Sequence, residues 1–417
     1  MNTNTRKEGM LSCYRLLDLA DEQGYMCGKL MADMGADVIK IEPPGGDPSR
    51  RLGPFFHDEP HPEKSLSWFA YNVGKRSITL NLDKEDGQEI FKKLVKTADF
   101  VLESFPPGYM DGLGLGYPAL EKLNSRIIVV SITPFGQTGS HRDYKDPGIV
   151  TWAMSGFMAS RGEAERAPLQ ISHHSQTFIH AAIEGAVGAM LALFDRWTTG
   201  EGQHVDVSIQ ESAGRGTPPF GWVLGRISPP RGLRQLGSAG LRTRYLWSCK
   251  DGYILWFYAT GSQGRRVSLP LVQWMQEEGM ADDFIKGLDW DTFDLTQATQ
   301  ETVDQMIKST ERFFMAHTKA ELFDGAVKRR ILLYPVNTTK DILESPQLAA
   351  RDFWKEVKHP ELDTSITYPG PFATVLGKPL SLSRRAPLIG EHNREIYEEE
   401  LGISREQLQT LEQGRVI

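Results

Sequence analysis

Two successive rounds of strand, helix and strand between Tyr14 and Ile132 restrict this chain to an α/β architecture more than any other feature does. YRLLDLA, the helical GYMCGKLMADMG and ADVIKIE, closed by a Gly/Pro turn, make the first round. SITLNL, the amphipathic EDGQEIFKKLVKTA, DFVLESF and RIIVVSI make the second. The last two runs are apolar on both faces, which predicts strands buried on two sides within a parallel sheet. From Gln176 to Arg196 small and apolar residues recur at helical spacing, with Ala, Gly and Leu predominant, and a buried central helix is predicted there.

The composition then shifts. Ala213 to Cys249 holds seven Gly and six Arg (Arg215, Arg226, Arg231, Arg234, Arg242, Arg244) and no acidic residue, and it reads as a long connection. Guanidinium groups among glycines suit phosphate or carboxylate contacts, while a solvated basic loop or a contact with a partner chain explains the same composition equally well. The strand KDGYILWFYAT and the acidic helical patterns MQEEGMADDF and TVDQMIKSTERFF predict a smaller second domain, and YPVNTTKDILESPQL begins a return segment.

Several function classes drop out. A net charge of −7 gives no general surface for a polyanion, so nucleic acid is not an expected partner. The polar start MNTNTRKEG has no apolar core of a signal peptide, and the longest apolar run, Phe178 to Phe194, is broken by His180 and Glu184, so neither secretion nor a membrane is expected. Three widely spaced cysteines (Cys13, Cys27, Cys249) form neither a disulfide framework nor a CxxC pair, which points to the cytoplasm. GLGLGY lacks GxGxxG spacing, and HRD at His141 to Asp143 has Gly148 where a kinase loop needs Asn. His173 and His174, adjacent and therefore divergent, are a poor metal pair, and no metal is expected.

A more specific signal comes from eight ordered blocks: GKLMADMGADVIKIEPPGGDPSR, KRSITLNL, LESFPPGYMDGLGLGYPAL, SITPFGQTG, WAMSGFM, RWTTGEGQHVDVSIQESA, PVNTTKDILESPQLAARDFW and APLIGEHNREI. In order and spacing they resemble the class III CoA-transferases. The resemblance implies a Rossmann-like large domain built from both chain ends, with residues 1–225 forming that domain and a linker. It further implies an inserted small α+β domain over 226–330, and a return linker with the C-terminal part of the large domain over 331–417. Protomers interlocked as a dimer are implied as well.

In that family an aspartate attacks the acyl-CoA thioester, CoA thiolate leaves, and the mixed anhydride passes its acyl group on. That Asp heads the helix before the TGxGQ turn. Counting back from Gly188 and Thr199-Gly200, or forward from Ser155-Gly156, places Phe178 at its position. Glu184 lies about 240° further around the helix, and Glu165 is distant in sequence. Other family positions also differ: Pro43, Ser104 and Gly112 stand where basic or amide residues are usual, and Asp83 and Asp146 where bases are common.

The resemblance therefore implies an Asp-less, non-catalytic subunit of a heteromeric CoA-transferase, partnered by an Asp-bearing homologous chain. The implied reaction moves CoA from an acyl-CoA such as succinyl-CoA to a small carboxylic acid, with (R)-2-benzylsuccinate of anaerobic toluene degradation the nearest example. CoA thioester is then a substrate of the complex, and no covalent cofactor is expected. Gln23, Tyr25, Leu80, Ser104, Phe105 and Lys145 are the candidates for a vestigial CoA or substrate pocket. Arg234, Gly237, Gly240 and Arg242 are the candidates for a loop reaching the partner's site. A self-sufficient transferase using another carboxylate, an acyl-CoA racemase or epimerase, and a scaffold without activity remain the alternatives.

Overall fold

The computed structural model describes residues 9–160, 166–170, 176–216, 241–259, 263–377, 380, 382 and 384–417. Two compact units emerge. The first gathers residues 1–161, 168–225 and 349–417, and the second gathers 162–167 and 226–348.

The first unit follows the two predicted rounds. Its elements are β1 (Arg15–Asp18), α1 (Tyr25–Asp33), β2 (Asp37–Glu42), α2 (Leu66–Asn72), β3 (Arg76–Thr79), α3 (Glu85–Val95) and β4 (Phe100–Glu103). They continue as α4 (Tyr109–Gly112), α5 (Tyr117–Leu123), β5 (Ile128–Thr133), α6 (Ile149–Met154), α7 (Gln176–Thr199), β6 (His204–Ser208) and α8 (Ile209–Arg215). The six strands form one sheet in the order β3-β2-β1-β4-β5-β6, every pair parallel. Strand periodicity sorts the apolar residues onto two faces. Leu17, Ile39, Ile78, Val101 and Val129 pack against α3, α5 and the chain end at Tyr397, Leu408 and Ile417. Leu16, Val38, Leu102, Val130 and Ile132 pack against α1 and α7. Helices on both faces are what a fully buried parallel sheet requires.

The exposed flank of β3 is closed by the APLIGEHNREI block. His392 Nδ1 accepts from Ser77 N at 3.2 Å, Asn393 Oδ1 accepts from Thr79 N at 2.9 Å, and Tyr397 OH donates to Thr79 O at 2.6 Å. An edge strand is thereby paired and not left as a template. An antiparallel hairpin, β10 (Trp354–His359) with β11 (Thr364–Pro369), packs Val357 and Tyr368 with Trp68 and Phe69 of α2.

In the second unit β7 (Leu246–Cys249), β8 (Gly252–Leu255) and β9 (Tyr334–Pro335) form an antiparallel sheet. Helices Leu269–Glu277, Gln300–Ala316 and Lys319–Arg329 cover a core of Trp247, Trp256, Tyr258, Trp274, Phe313 and Phe314. The Gly/Arg stretch is not wholly a connection: its ends lie in α8 and β7. Arg215 pairs with Glu184 and Arg244 with Glu311, so both are spent on internal ion pairs. Among the described residues, one helix, Gln176–Thr199, is long and apolar enough to cross a membrane; half of its most apolar window is buried within the fold.

Candidate functional site

The turn between β1 and α1 sits at the carboxyl ends of the strands, where open α/β sheets place their ligands. Its foundation is a fully buried charge network. Asp18 accepts from Lys75 Nζ at 2.7 Å, and Lys40 Nζ lies 3.7 Å from both Asp18 and Asp47. Lys75 also donates to Tyr25 O at 3.1 Å and Asn72 Oδ1 at 2.9 Å. Burial pushes the Lys75 ammonium downward, and Asp18 opposes that shift. A Cβ on Gly28 would strike the Asp18 carboxylate and stand 2.9 Å from Lys75 Nζ, so α1 can approach this pair only with glycine there. Beside it, Arg50 binds Glu42 through two bonds of 2.6 and 2.7 Å, pairs with Glu63 at 2.8 Å, and lies 3.7 Å over the Trp68 ring. Three buried acids, Asp18, Glu42 and Asp47, and the partly exposed Glu63 thus hold three buried cations.

Above the network a cavity of about 190 Å³ opens. Tyr25, Trp68, Tyr71 and Phe178 give it four aromatic walls, and Met26, Leu52, Pro147 and Ile179 complete its apolar lining. Tyr25 meets Trp68 edge to face at 5.7 Å and shares a short hydrogen bond with Ser49. Phe178, in the first turn of α7, is 8 % exposed. Among the described residues, none that lines the cavity carries a basic side chain.

One carboxylate does reach it. Glu22 stands at the rim, its pKa raised first by partial desolvation and then by Asp21 and Asp47. The sequence reading missed this residue, because an acid in DEQG resembles any solvated charge; its place after the first strand was the available signal. Glu184, the acid weighed from sequence, accepts from Ser212 Oγ at 2.6 Å and pairs with Arg215. Glu165 lies outside the described residues, as do His173 and His174.

Of the pocket candidates, Tyr25 joins Phe178 at the cavity. Gln23 and Ser104 are drawn together through Asp21, which bonds Gln23 Nε2 at 3.2 Å and Ser104 Oγ at 2.8 Å. Leu80 and Phe105 belong to the core on the other side of the sheet, where Phe105 packs on Tyr109 at 4.6 Å and Tyr109 OH donates to Asp83 at 2.8 Å. Lys145 is exposed, and its neighbour Asp146 caps α6 through Gly148 N at 2.7 Å and Val150 N at 3.0 Å. Arg234, Gly237 and Gly240 lie outside the described residues; Arg242 fastens its backbone to the Gln300 side chain at 2.8 and 3.2 Å.

A doubly wound parallel sheet with its cavity at the first strand-to-helix turn, and a smaller unit inserted between Gly225 and Ala349, defines a two-unit α/β protein of Rossmann-like type. Residues 14–393 match the model of CoA-transferase family III, and the chain belongs to that family. It is similar to the succinyl-CoA:(R)-benzylsuccinate CoA-transferase subunit BbsE of Thauera aromatica, 36% identical with 93% of each chain covered. It is also similar to succinyl-CoA--D-citramalate CoA-transferase of Chloroflexus aurantiacus, 32% identical with 97% of each covered. Among solved structures, a CAIB/BAIF family protein from Brucella suis superposes with a TM-score of 0.79 at 26% identity, covering 94% of this chain and 99% of that one.

Proposed function

We propose that this chain is the non-catalytic subunit of a heteromeric CoA-transferase that moves CoA from succinyl-CoA or a similar thioester to a carboxylic acid. The observation that carries this reading is Phe178 on the cavity wall, where the family resemblance calls for the attacking carboxylate. A phenyl ring has no lone pair with which to open a thioester, so no acyl anhydride forms at that position. The commitment of Lys40, Lys75 and Arg50 to Asp18, Asp47, Glu42 and Glu63 supports the same reading, since none is left to meet a phosphate or a second carboxylate. The likeness to the benzylsuccinate CoA-transferase subunit favours (R)-2-benzylsuccinate as the acceptor acid of the complex.

In this proposal an Asp-bearing homologous chain supplies the nucleophile, the two chains interlock, and the Arg234 to Arg242 loop approaches the partner's site. The complex works in the cytoplasm, where free thiols such as Cys27 and Cys249 persist.

Glu22 favours a second reading, a self-sufficient transferase whose nucleophile comes from α1's entry turn. One experiment separates the two. The purified chain is incubated with succinyl-CoA, quenched with hydroxylamine, and mapped for hydroxamate by mass spectrometry. The first reading expects no modified carboxylate and no transfer until an Asp-bearing homologue is added. Hydroxamate on Glu22, with transfer abolished in Glu22→Gln, would establish the second reading instead.

A further inference from the structure

A second cavity, of about 350 Å³, opens on the other face of the sheet, beside β4, β5 and β6, and the function proposed above does not use it. Parallel pairing sets Glu103 of β4, Ser131 of β5 and Asp206 of β6 in one row, so their side chains leave the same face. Glu103, Ser131 and His204 line the cavity; Ser131 Oγ lies 2.9 Å from His204 Nε2, and Tyr117 stacks on the His204 ring at 5.7 Å. Val101, Met110, Leu115, Leu120 and Val129 add an apolar wall. An apolar hollow with a few converging polar groups is the usual form of a small-molecule site.

Charge selects the ligand. Beneath the first cavity Asp18 and Glu42 each have a buried cation, whereas Glu103, 5 % exposed, has no Lys or Arg partner among the described residues. A carboxylate buried without a counter-charge is costly, and burial accordingly holds the Glu103 proton up to about 7 although Phe105 N donates to it at 2.7 Å. Asp206 and Asp111 push in the same direction. Arg142, the one Lys or Arg among the described lining residues, is exposed and turned to Asp143 at 3.3 Å. An anion entering here would meet three acids, while a cation would give Glu103 the counter-charge it lacks. Among the described residues no group of His, Cys, Asp and Glu converges as metal ligands, so the cation that fits is organic.

We propose that this cavity binds a small organic amine, with its ammonium against Glu103 and its apolar body along Val101, Leu115 and Val129. Binding here does not depend on whether the chain transfers CoA itself, so the test reads affinity and not activity. Phenethylamine is titrated calorimetrically into the full-length chain. It is expected to bind, and hydrocinnamate, the anion of like shape, is expected not to displace it. Glu103→Gln should weaken the amine about tenfold or more, the loss of one charge-assisted bond, while Glu89→Gln, exposed on α3, should change nothing. Asp111→Asn, at an exposed residue of the lining, should weaken it by a smaller factor and serves should Glu103→Gln lose its fold. Because the amine displaces the Glu103 proton, binding should weaken as pH falls from about 7 to about 5, with about one proton released at about pH 6, read from heats in two buffers. The other groups facing Glu103 are Asp111, Tyr117, Arg142, Asp206 and His204. His204, its pKa lowered from 6.5 by burial, gains a proton lower in that range and repels a cation, which acts in the same direction. No binding of the amine overturns the proposal, as does displacement by hydrocinnamate or an affinity independent of pH. Affinity that survives Glu103→Gln and fails in Glu22→Gln also overturns it, because the amine would then sit in the first cavity.

Discussion

Arg50 illustrates how a buried charge is tolerated in the first unit: two bonds to Glu42, one to Glu63, one of 3.0 Å to Pro387 O and a ring beneath it. Removing one partner of such a set leaves a charge in low dielectric. Arg50→Ala is therefore expected to cost about 3–5 kcal/mol, measurable by urea denaturation. Glu103, at the end of β4, is a different case. It is 5 % exposed, and burial first of all raises its carboxyl to about 7, even though Ser131 and Phe105 N bond to it. A raised carboxylate binds its proton more tightly in the folded state, so stability falls as pH rises from the ordinary 4.5 toward 7. Glu103→Gln keeps both bonds without the charge. It should gain on the wild type across that interval by up to about 3 kcal/mol, and equal melting-temperature differences at pH 4.5 and 7.5 would refute the assignment. Neither residue announces its role in sequence. Glu103 reads there as part of an apolar strand, and Glu22 as a surface acid, because burial and neighbours are set by distant segments.

Among the elements, α7 was legible as an apolar helix and only half legible as a buried one. Periodicity counts apolar positions without weighing their size, and it cannot say which of two apolar faces meets the sheet. Packing decides: Gly185 lets Ile132 and Val130 approach, and a Cβ there would stand 2.9 Å from Ile132 Cδ1. The inward face is accordingly intolerant of volume. Ala189→Leu, at a fully buried position, should destabilise by about 1–3 kcal/mol, while the outward Leu191→Ser should stay within about 0.5 kcal/mol for the isolated chain; thermal melts of the two variants test the contrast. The Gly/Arg stretch teaches a similar lesson. Arg215 and Arg244 looked available because the stretch from Ala213 to Cys249 holds no acid of its own, yet Glu184 and Glu311 reach them through the fold.

At the level of the whole molecule, the two units own separate cores, one on the six-stranded sheet and one around Trp247, Trp256 and Phe314. A lesion in one core should therefore leave the other's melting largely in place. Phe313→Ala, at a fully buried ring, should cost the second unit about 3–5 kcal/mol. Calorimetry of this variant and of Arg50→Ala should show different transitions moving, whereas a single shared shift would mean the units melt together.

The order of strands and helices, the parallel sheet and the family were already written in the chain, because hydrophobic period and ordered motifs are local properties that survive without coordinates. The meeting of Tyr25, Trp68 and Phe178 around one cavity, the arrival of Glu22 at its rim and the neutralisation of each buried cation were not. Those depend on segments far apart in sequence being brought within a few ångströms, and only the packed tertiary structure sets such distances.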